Sequence, residues 1–226
     1  MIMSSQGKRY NPEDCKIVID GNSIERVTNT KFLGVIIDDK FTWKLHIDYL
    51  CNKLAKGIGV IRRARQSLYG ESLLTLYNSL IKPHFTYCII IWGNSYKTYL
   101  QKIFLLQKRA IRIITNSEFH AHTAPLFEKR NIMTIFELYK YFVGLFIFKS
   151  LNNHIPLCTI FYRNINARNS DNLRSVFRKL KICQFSILCS GPKTWNQFPT
   201  NVKLANSLYT FKKRLKKFLN VSISDF

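Results

Sequence analysis

Residues 134–151 decide the fold of this chain, and they read TIFELYKYFVGLFIFKSL. Apolar side chains cover nearly every face of a helix drawn through this stretch, which is typical of a helix buried on all sides. Thr134 and Glu137 match the capping box Thr-x-x-Glu, which predicts that the helix begins there. The apolar run between Lys140 and Lys149 has only eight residues, whereas a membrane span needs about 20. We therefore predict a central core helix that ends at Leu151.

Amphipathic helices precede and follow this central helix. Apolar residues recur with a helical period over residues 43–68 and 99–114, and a shorter helix is predicted over 73–81, interrupted at Pro83. Ser207 is the expected cap of a last helix over 208–219. The polar faces are basic, and their cationic residues are Lys53, Lys56, Arg62, Arg63, Arg65, Lys102, Lys108, Arg109, Arg112, Lys212, Lys213 and Arg214.

Short runs rich in β-branched residues predict strands near the beginning of the chain. These runs cover residues 16–20, 23–27 and 31–37, and Asp20-Gly21 is a tight-turn signal after the first. A later run, 180–188, predicts one or two short strands, and Gly191-Pro192 predicts a turn after them.

The predicted fold class is α+β and mainly α. A short antiparallel β-hairpin or three-strand piece precedes a helical bundle, and a mixed basic region follows. The corresponding division of the chain is 1–42, 43–151 and 152–226, with the last region ending in a helix.

The charge balance is far from neutral. The 226 residues carry 35 Lys and Arg but only 13 Asp and Glu, a net charge of +22. Residues 1–50 contain equal numbers of acidic and basic side chains, so the whole excess lies in 51–226. Such asymmetry points to a polyanionic partner. We predict RNA and/or DNA as that partner, with no membrane association and no evident small-molecule substrate.

The expected location is intracellular, in the nucleus and/or cytoplasm, rather than secreted. The first residues lack the apolar segment and cleavage site of a signal peptide. Six cysteines without a C-x-x-C pair fit scattered reduced thiols better than a disulfide framework or a zinc site.

Candidate catalytic groups are few. Asp38-Asp39 follows an apolar run, and paired carboxylates at a strand end can hold Mg²⁺ ions for phosphoryl transfer. Such a site needs further carboxylates, and no other acidic residue stands in a suitable strand context. We therefore interpret the pair as a solvated strand-to-helix turn, and His120 with His122 as a turn feature. We predict no catalytic residue, no metal site and no cofactor in this chain.

Aromatic side chains among the basic helices have two possible roles. Tyr96, Tyr99 and Trp195 could stack on bases, but core packing is the interpretation that we favour for each. For the basic faces, phosphate contact and simple solvation are equally weighted alternatives.

Six blocks of sequence resemble, in the same order, the non-LTR (LINE-type) retrotransposon reverse transcriptases of the jockey-like group. The resemblance covers roughly residues 16–219. The blocks are Lys31–Asp38 with Trp43-x-x-His46, Leu80–Gly93, Leu106–Ile114, His122–Phe127, Gly191–Asn196 and Phe211–Lys216.

The resemblance implies specific roles. Phe32, Leu33 and Gly34 are similar to the primer grip, the hairpin at the end of the palm, and the following helices resemble the thumb, whose basic helices touch the template–primer backbone. The basic residues named above would then contact backbone phosphates. The Tyr-x-Asp-Asp motif does not occur in these 226 residues, and the Mg²⁺ of the family binds at residues that this sequence lacks.

The resemblance therefore implies a truncated RNA-directed DNA polymerase that is not an enzyme on its own and retains non-specific nucleic-acid binding. The palm and fingers of the parent polymerase would be a further partner. Two alternatives stay open: a non-functional remnant that folds poorly alone, and a protein-interaction or self-association module.

Overall fold

A computed structural model describes residues 17–152, 154–155, 161 and 171–221. Strands come first in this part of the chain, and only helices follow from Lys44 onward. The strands are β1 (Val18–Ile19), β2 (Asn22–Ser23), β3 (Asn29–Phe32) and β4 (Val35–Asp38). The helices are α1 (Lys44–Ala64), α2 (Glu71–Leu80), α3 (Lys82–Thr86), α4 (Ile89–Trp92), α5 (Lys97–Ile114), α6 (Ala124–Lys129), α7 (Ile135–Leu151), α8 (Lys181–Phe185), α9 (Ile187–Asn196), α10 (Thr200–Lys203) and α11 (Leu208–Val221). The predicted fold class, α+β and mainly α, is confirmed.

The strands form two separate antiparallel hairpins rather than a three-strand piece. β1 pairs with β2, and β3 pairs with β4 in a register that sets Phe32 opposite Val35. The single strand predicted over 31–37 is wrong, because Leu33 and Gly34 turn the chain back on itself. The division at residues 42 and 151 stays a prediction.

Helix α7 lies at the centre of the core, as its sequence predicts. It contacts α3, α4, α5, α9 and α11, and Val143 and Ile147 are fully buried. The predicted capping box is confirmed: the Thr134 N–H donates to Glu137 Oε2 at 2.7 Å, and the Glu137 N–H donates to Thr134 Oγ1 at 3.4 Å. Gly144 permits close packing here, because a Cβ at this position would lie 2.8 Å from the Phe198 ring.

Helices α1 and α5 pack side by side and run parallel. Lys102 pairs with Asp48 near the beginning of both helices, and Arg65 donates to the Asn116 side chain just beyond both ends. Apolar stripes that contain Ile47, Leu54 and Ile61 on α1 and Ile103 and Ile111 on α5 are buried in the core.

Gln107 of α5 is fully buried and joins three elements. Its Nε2 donates to the Tyr77 hydroxyl at 3.0 Å and to the Met133 carbonyl at 2.9 Å, and its Oε1 accepts from the Ile135 N–H at 2.9 Å. A polar group without a partner at this depth would be costly, so Gln107 specifies how α2, α5 and the beginning of α7 meet.

The strands predicted over 180–188 are wrong, and so is the turn predicted at Gly191-Pro192. These residues form α8 and α9, and Pro192 lies inside α9. A short apolar run fits either a buried strand or a buried helix, and packing of α9 on α7 decides for the helix. Helix α11 begins after Ser207 as predicted, because the Thr210 N–H donates to Ser207 Oγ at 3.2 Å. The basic residues between 162 and 170 lie outside the described residues.

Candidate nucleic-acid interface

The tip of the β3–β4 hairpin presents apolar side chains to solvent. Leu33 and Gly34 have φ values of 45° and 82°, the left-handed signs that a two-residue type I′ turn requires. Phe32 and Leu33 are 61% and 73% exposed. The Tyr87 hydroxyl donates to the Leu33 carbonyl at 2.5 Å. This hydrogen bond joins the tip of the hairpin to the segment between α3 and α4. The three predicted primer-grip-like residues therefore share one exposed turn.

Asp38 ends strand β4, and its carboxylate is buried. Oδ1 accepts from the N–H groups of Lys40 at 3.2 Å and Thr42 at 2.9 Å, and Oδ2 accepts from that of Trp43 at 2.9 Å. The interpretation of Asp38 as part of a solvated turn is thus wrong, because the side chain caps the connection to α1. Both oxygens accept hydrogen bonds from the backbone, so the role that the geometry gives this carboxylate is to cap the loop before α1.

The His46 side chain joins the β3–β4 hairpin to α1 by a hydrogen bond. Its buried ring accepts the Ile36 N–H at Nδ1, 3.3 Å away, and meets the Trp92 ring edge-on with centroids 5.6 Å apart. Burial lowers the pKa of His46 to about 4. The neutral ring is therefore the form that holds β4 against the helices.

A cationic aromatic patch lies where the hairpin meets α1. The ammonium groups of Lys31 and Lys53 lie 5.3 Å and 5.6 Å from the centroid of the Tyr49 ring. The candidates from the sequence include Lys53 but not Lys31 or Tyr49. Two signals point to them: Lys31 directly precedes Phe32, and Tyr49 is four residues before Lys53, on the same helix face.

The exposed cations of α1 divide between two edges of the helix. At 100° per residue, Lys53, Lys56 and Arg63 fall within one arc on the Tyr49 side. Arg62 lies on the edge that faces α5, and Arg65 caps the helix and bonds to Asn116. The α1 stripe, defined here as Lys53, Lys56 and Arg63, continues the cationic patch along the helix.

The predicted cations of α5 are mostly engaged within the protein. Lys102 bonds to Asp48 at 2.8 Å, and this hydrogen bond raises the pKa of Lys102. Lys108 lies 4.5 Å from the centroid of the Phe104 ring, and Arg112 Nε donates to the Ala121 carbonyl at 3.0 Å. Arg109 is exposed and remains available for an external anion.

The predicted cations of α11 form a group of their own. Phe211, Leu215 and Leu219 bury the other face of the helix, and its main neighbours are α7 and α10. Lys212 and Lys213 are exposed, while Arg214 donates to the Asn201 carbonyl at 2.6 Å.

Of the aromatic residues considered for base stacking, Trp195 is buried, whereas Tyr96 and Tyr99 are half-buried. Trp195 is buried, donates Nε1–H to the Asp171 carbonyl at 3.0 Å and stacks on Phe211. Tyr96 packs edge-on against Tyr99, with centroids 5.7 Å apart. Core packing, the favoured interpretation, accounts for Trp195, and Tyr99 packs against the edge of the core.

Sequence comparison identifies relatives among mobile-element polymerases. The chain is 28% identical over 117 residues to the RNA-directed DNA polymerase from mobile element jockey of Drosophila funebris, a match that covers 50% of the chain and 13% of that protein. It is 23% identical over 124 residues to the probable RNA-directed DNA polymerase from transposon X-element of Drosophila melanogaster, covering 54% of the chain and 14% of that protein. This chain is similar to jockey-like retrotransposon polymerases.

A third relative shows the same similarity. The probable RNA-directed DNA polymerase from transposon BS of Drosophila melanogaster is 26% identical over 136 residues, which cover 58% of the chain and 15% of that protein. The chain thus matches only about one seventh of the length of these jockey-like relatives. No family model and no solved structure matches it.

Two further observations bear on partners and metals. Within the described residues, no helix is both long and apolar enough to cross a membrane. No group of three or more His, Cys, Asp or Glu residues in the same part of the chain is arranged to hold a metal ion.

Proposed function

We propose that this chain binds the backbone of RNA or DNA without sequence preference, as the thumb-side part of a jockey-like reverse transcriptase. The supporting observation is the continuous surface that runs from the exposed tip of the β3–β4 hairpin, past Tyr49 with its two flanking lysines, onto the α1 stripe. The same role would place the protein in the nucleus and/or cytoplasm, where RNA and DNA occur. No catalytic step is assigned to this chain.

The dimensions of the α1 stripe suit a phosphate backbone. Lys53 and Arg63 are ten residues apart in sequence, which is about 15 Å along a helix. Successive phosphates of one strand are about 3.4 Å apart along the axis of a duplex, so the stripe can follow several of them. Phe32 and Leu33 at the tip would contact the sugar and base at the end of that strand.

A salt titration tests this proposal. Fluorescence anisotropy with a labelled 20-nucleotide RNA and the matching RNA–DNA duplex, from 50 to 300 mM NaCl, measures affinity as a function of salt. Replacing Lys53, Lys56 and Arg63 by Gln removes three phosphate contacts and should reduce the slope of log K against log[salt] by about 2 to 3.

A matched control removes the same charge elsewhere. Lys129, Lys179 and Lys193 are exposed and lie outside both the hairpin and α1. Their replacement by Gln should leave the salt slope within about 1 of the unmodified chain. Equal effects of the two triple variants, or binding that does not respond to salt, would contradict the proposal.

The hairpins also favour a second candidate function, docking on another protein surface. Ile17, Val18 and Ile19 are exposed in addition to the tip residues, and a two-stranded hairpin is marginally stable unless something packs on it. The palm of a parent polymerase, or a second copy of this chain, would cover them. Light scattering tests the second copy: an oligomer that persists in 500 mM NaCl and dissociates on Val18→Lys supports self-association, and a monomer at all salt concentrations excludes a second copy as the partner.

A further inference from the structure

A cleft of about 410 Å³ opens between α2, α7, α11 and the connection from α6 to α7. Three cationic side chains line it, namely Lys82, Arg130 and Lys216, and no acidic side chain does. Asn78, Asn131 and Tyr141 add hydrogen-bonding groups to the lining. The cations come from three different elements, so the tertiary structure alone brings them together.

Arg130 lines this cleft and is only weakly paired within the protein. Its Nε is buried and has no acceptor. Its NH1 reaches Glu71 at 3.4 Å, a long contact, and the Glu71 side chain is 84% exposed while that of Arg130 is 25% exposed. The buried Nε is closed to the cleft, so an anion there would contact the accessible part of the Arg130 side chain, whose one ion pair is long and lies at an exposed carboxylate.

The backbone that carries Arg130 is fixed in place. Asn131 is in the left-handed conformation that often follows the end of a helix, and its side chain accepts a hydrogen bond from Asn220 of α11. The Ile132 N–H donates to the Phe127 carbonyl at 3.0 Å. The guanidinium is therefore presented by a rigid turn, which lowers the conformational cost of binding.

We propose that this cleft binds the phosphate group of a nucleotide-sized ligand. Guanidinium and ammonium groups are the side chains that recognise phosphate, and the volume lies in the range of small-ligand pockets, about 300 to 1,000 Å³. Leu74, Phe142 and the Tyr141 ring offer apolar surface for a base or sugar. The site is separate from the α1 stripe, so a test of the cleft does not depend on whether the stripe binds a nucleic-acid backbone.

Calorimetric titration with ADP, and with adenosine as its uncharged counterpart, tests the site. ADP should bind and adenosine should bind at least tenfold more weakly. Arg130→Gln should weaken ADP binding tenfold or more, because a hydrogen bond to a charged group is lost. Glu71→Gln should strengthen it, because the competing carboxylate is removed. Lys129→Gln, next to Arg130 but outside the lining, is the matched control and should have no effect.

A second variant keeps the test valid if Arg130→Gln does not fold. Lys82 and Lys216 are exposed, so their double replacement by Gln should preserve the fold and still weaken ADP binding. The proposal is overturned if ADP and adenosine bind alike, or if ADP binds equally to the unmodified chain and to both cleft variants.

The source of the phosphate is decided by competition. If a 5′-phosphorylated oligonucleotide displaces ADP and its 5′-hydroxyl counterpart does not, the cleft receives the end of a strand. If neither oligonucleotide displaces ADP, the cleft receives a free nucleotide. Either result supports the phosphate site, and the Gln variants of the α1 stripe should leave both results unchanged.

Discussion

Acid should detach the β3–β4 hairpin from α1 through the protonation of His46. The Ile36 N–H donates to Nδ1 in a buried site, so the folded protein requires the neutral ring. Burial lowers the pKa from 6.5 to about 4. Because the unfolded chain binds the proton more tightly, the contribution of His46 to the free energy of unfolding is constant above pH 6.5. It should fall between about pH 6.5 and 4 and then level off.

The magnitude is large for a domain of this size. The difference between the two pKa values corresponds to at most about 3 kcal/mol, of which about 2 kcal/mol is lost by pH 5. Total stabilities of domains are about 5 to 15 kcal/mol. A single histidine would therefore remove a substantial part of the stability in mild acid.

Urea unfolding between pH 7.5 and 4 measures the effect, with tryptophan fluorescence as the signal. The key variant is His46→Asn, because the amide oxygen can still accept the Ile36 N–H and does not titrate. Burial raises the pKa of Glu137, so its effect on stability has the opposite sign. This effect cancels when the free energy of unfolding of His46→Asn is subtracted from that of the unmodified chain at each pH. His120→Asn, at an exposed site, is the control. A difference between the unmodified chain and His46→Asn that does not change with pH would refute the reasoning.

Three further predictions concern stability and can be measured by urea unfolding at pH 7.5. Gln107→Leu should cost about 2 to 4 kcal/mol, because three buried polar groups lose their partner; a change below 0.5 kcal/mol would show that water replaces it. Thr134→Ala should cost about 1 kcal/mol through loss of the helix cap, and an unchanged midpoint would count against the capping box. Gly144→Val should cost about 1 to 3 kcal/mol by overpacking. In contrast, Gly59→Ala should stabilise α1 by up to about 1 kcal/mol, because a Cβ at position 59 would have nothing within 4 Å. The same sign for both changes would contradict the packing argument.

The long helices could be predicted because their signals are local and repeated. Helix α7 carries its own cap and an apolar surface on every side, and α5 has one clean apolar stripe. The apolar pattern of residues 31–37 did not reveal the hairpin turn, which only the family resemblance implied, because Leu33 rarely adopts a left-handed conformation and gives no strong turn signal. The region around Pro192 was misassigned because Gly-Pro usually marks a turn, and only burial against α7 keeps it helical.

The candidate site also combines features that the sequence predicts with features that only packing decides. A basic side chain on a helix face looks the same in the sequence whether it is free or paired, and Lys102 is paired with Asp48, 54 residues away. Lys31 and Tyr49 were missed because their contact crosses from a strand to a helix. The cleft at Arg130 has no counterpart in any sequence pattern, since its three cations come from distant segments.

Composition, charge distribution and hydrophobic periodicity were enough to establish a basic, mainly helical chain with a central helix, and six ordered sequence blocks carried the resemblance to jockey-like polymerases. These properties depend on each residue and its near neighbours along the chain. Tertiary packing alone decided which cations remain free, that Asp38 caps a loop, and that Arg130 faces a cleft. Pairing and burial depend on distances between remote segments, and such distances exist only once the helices have packed.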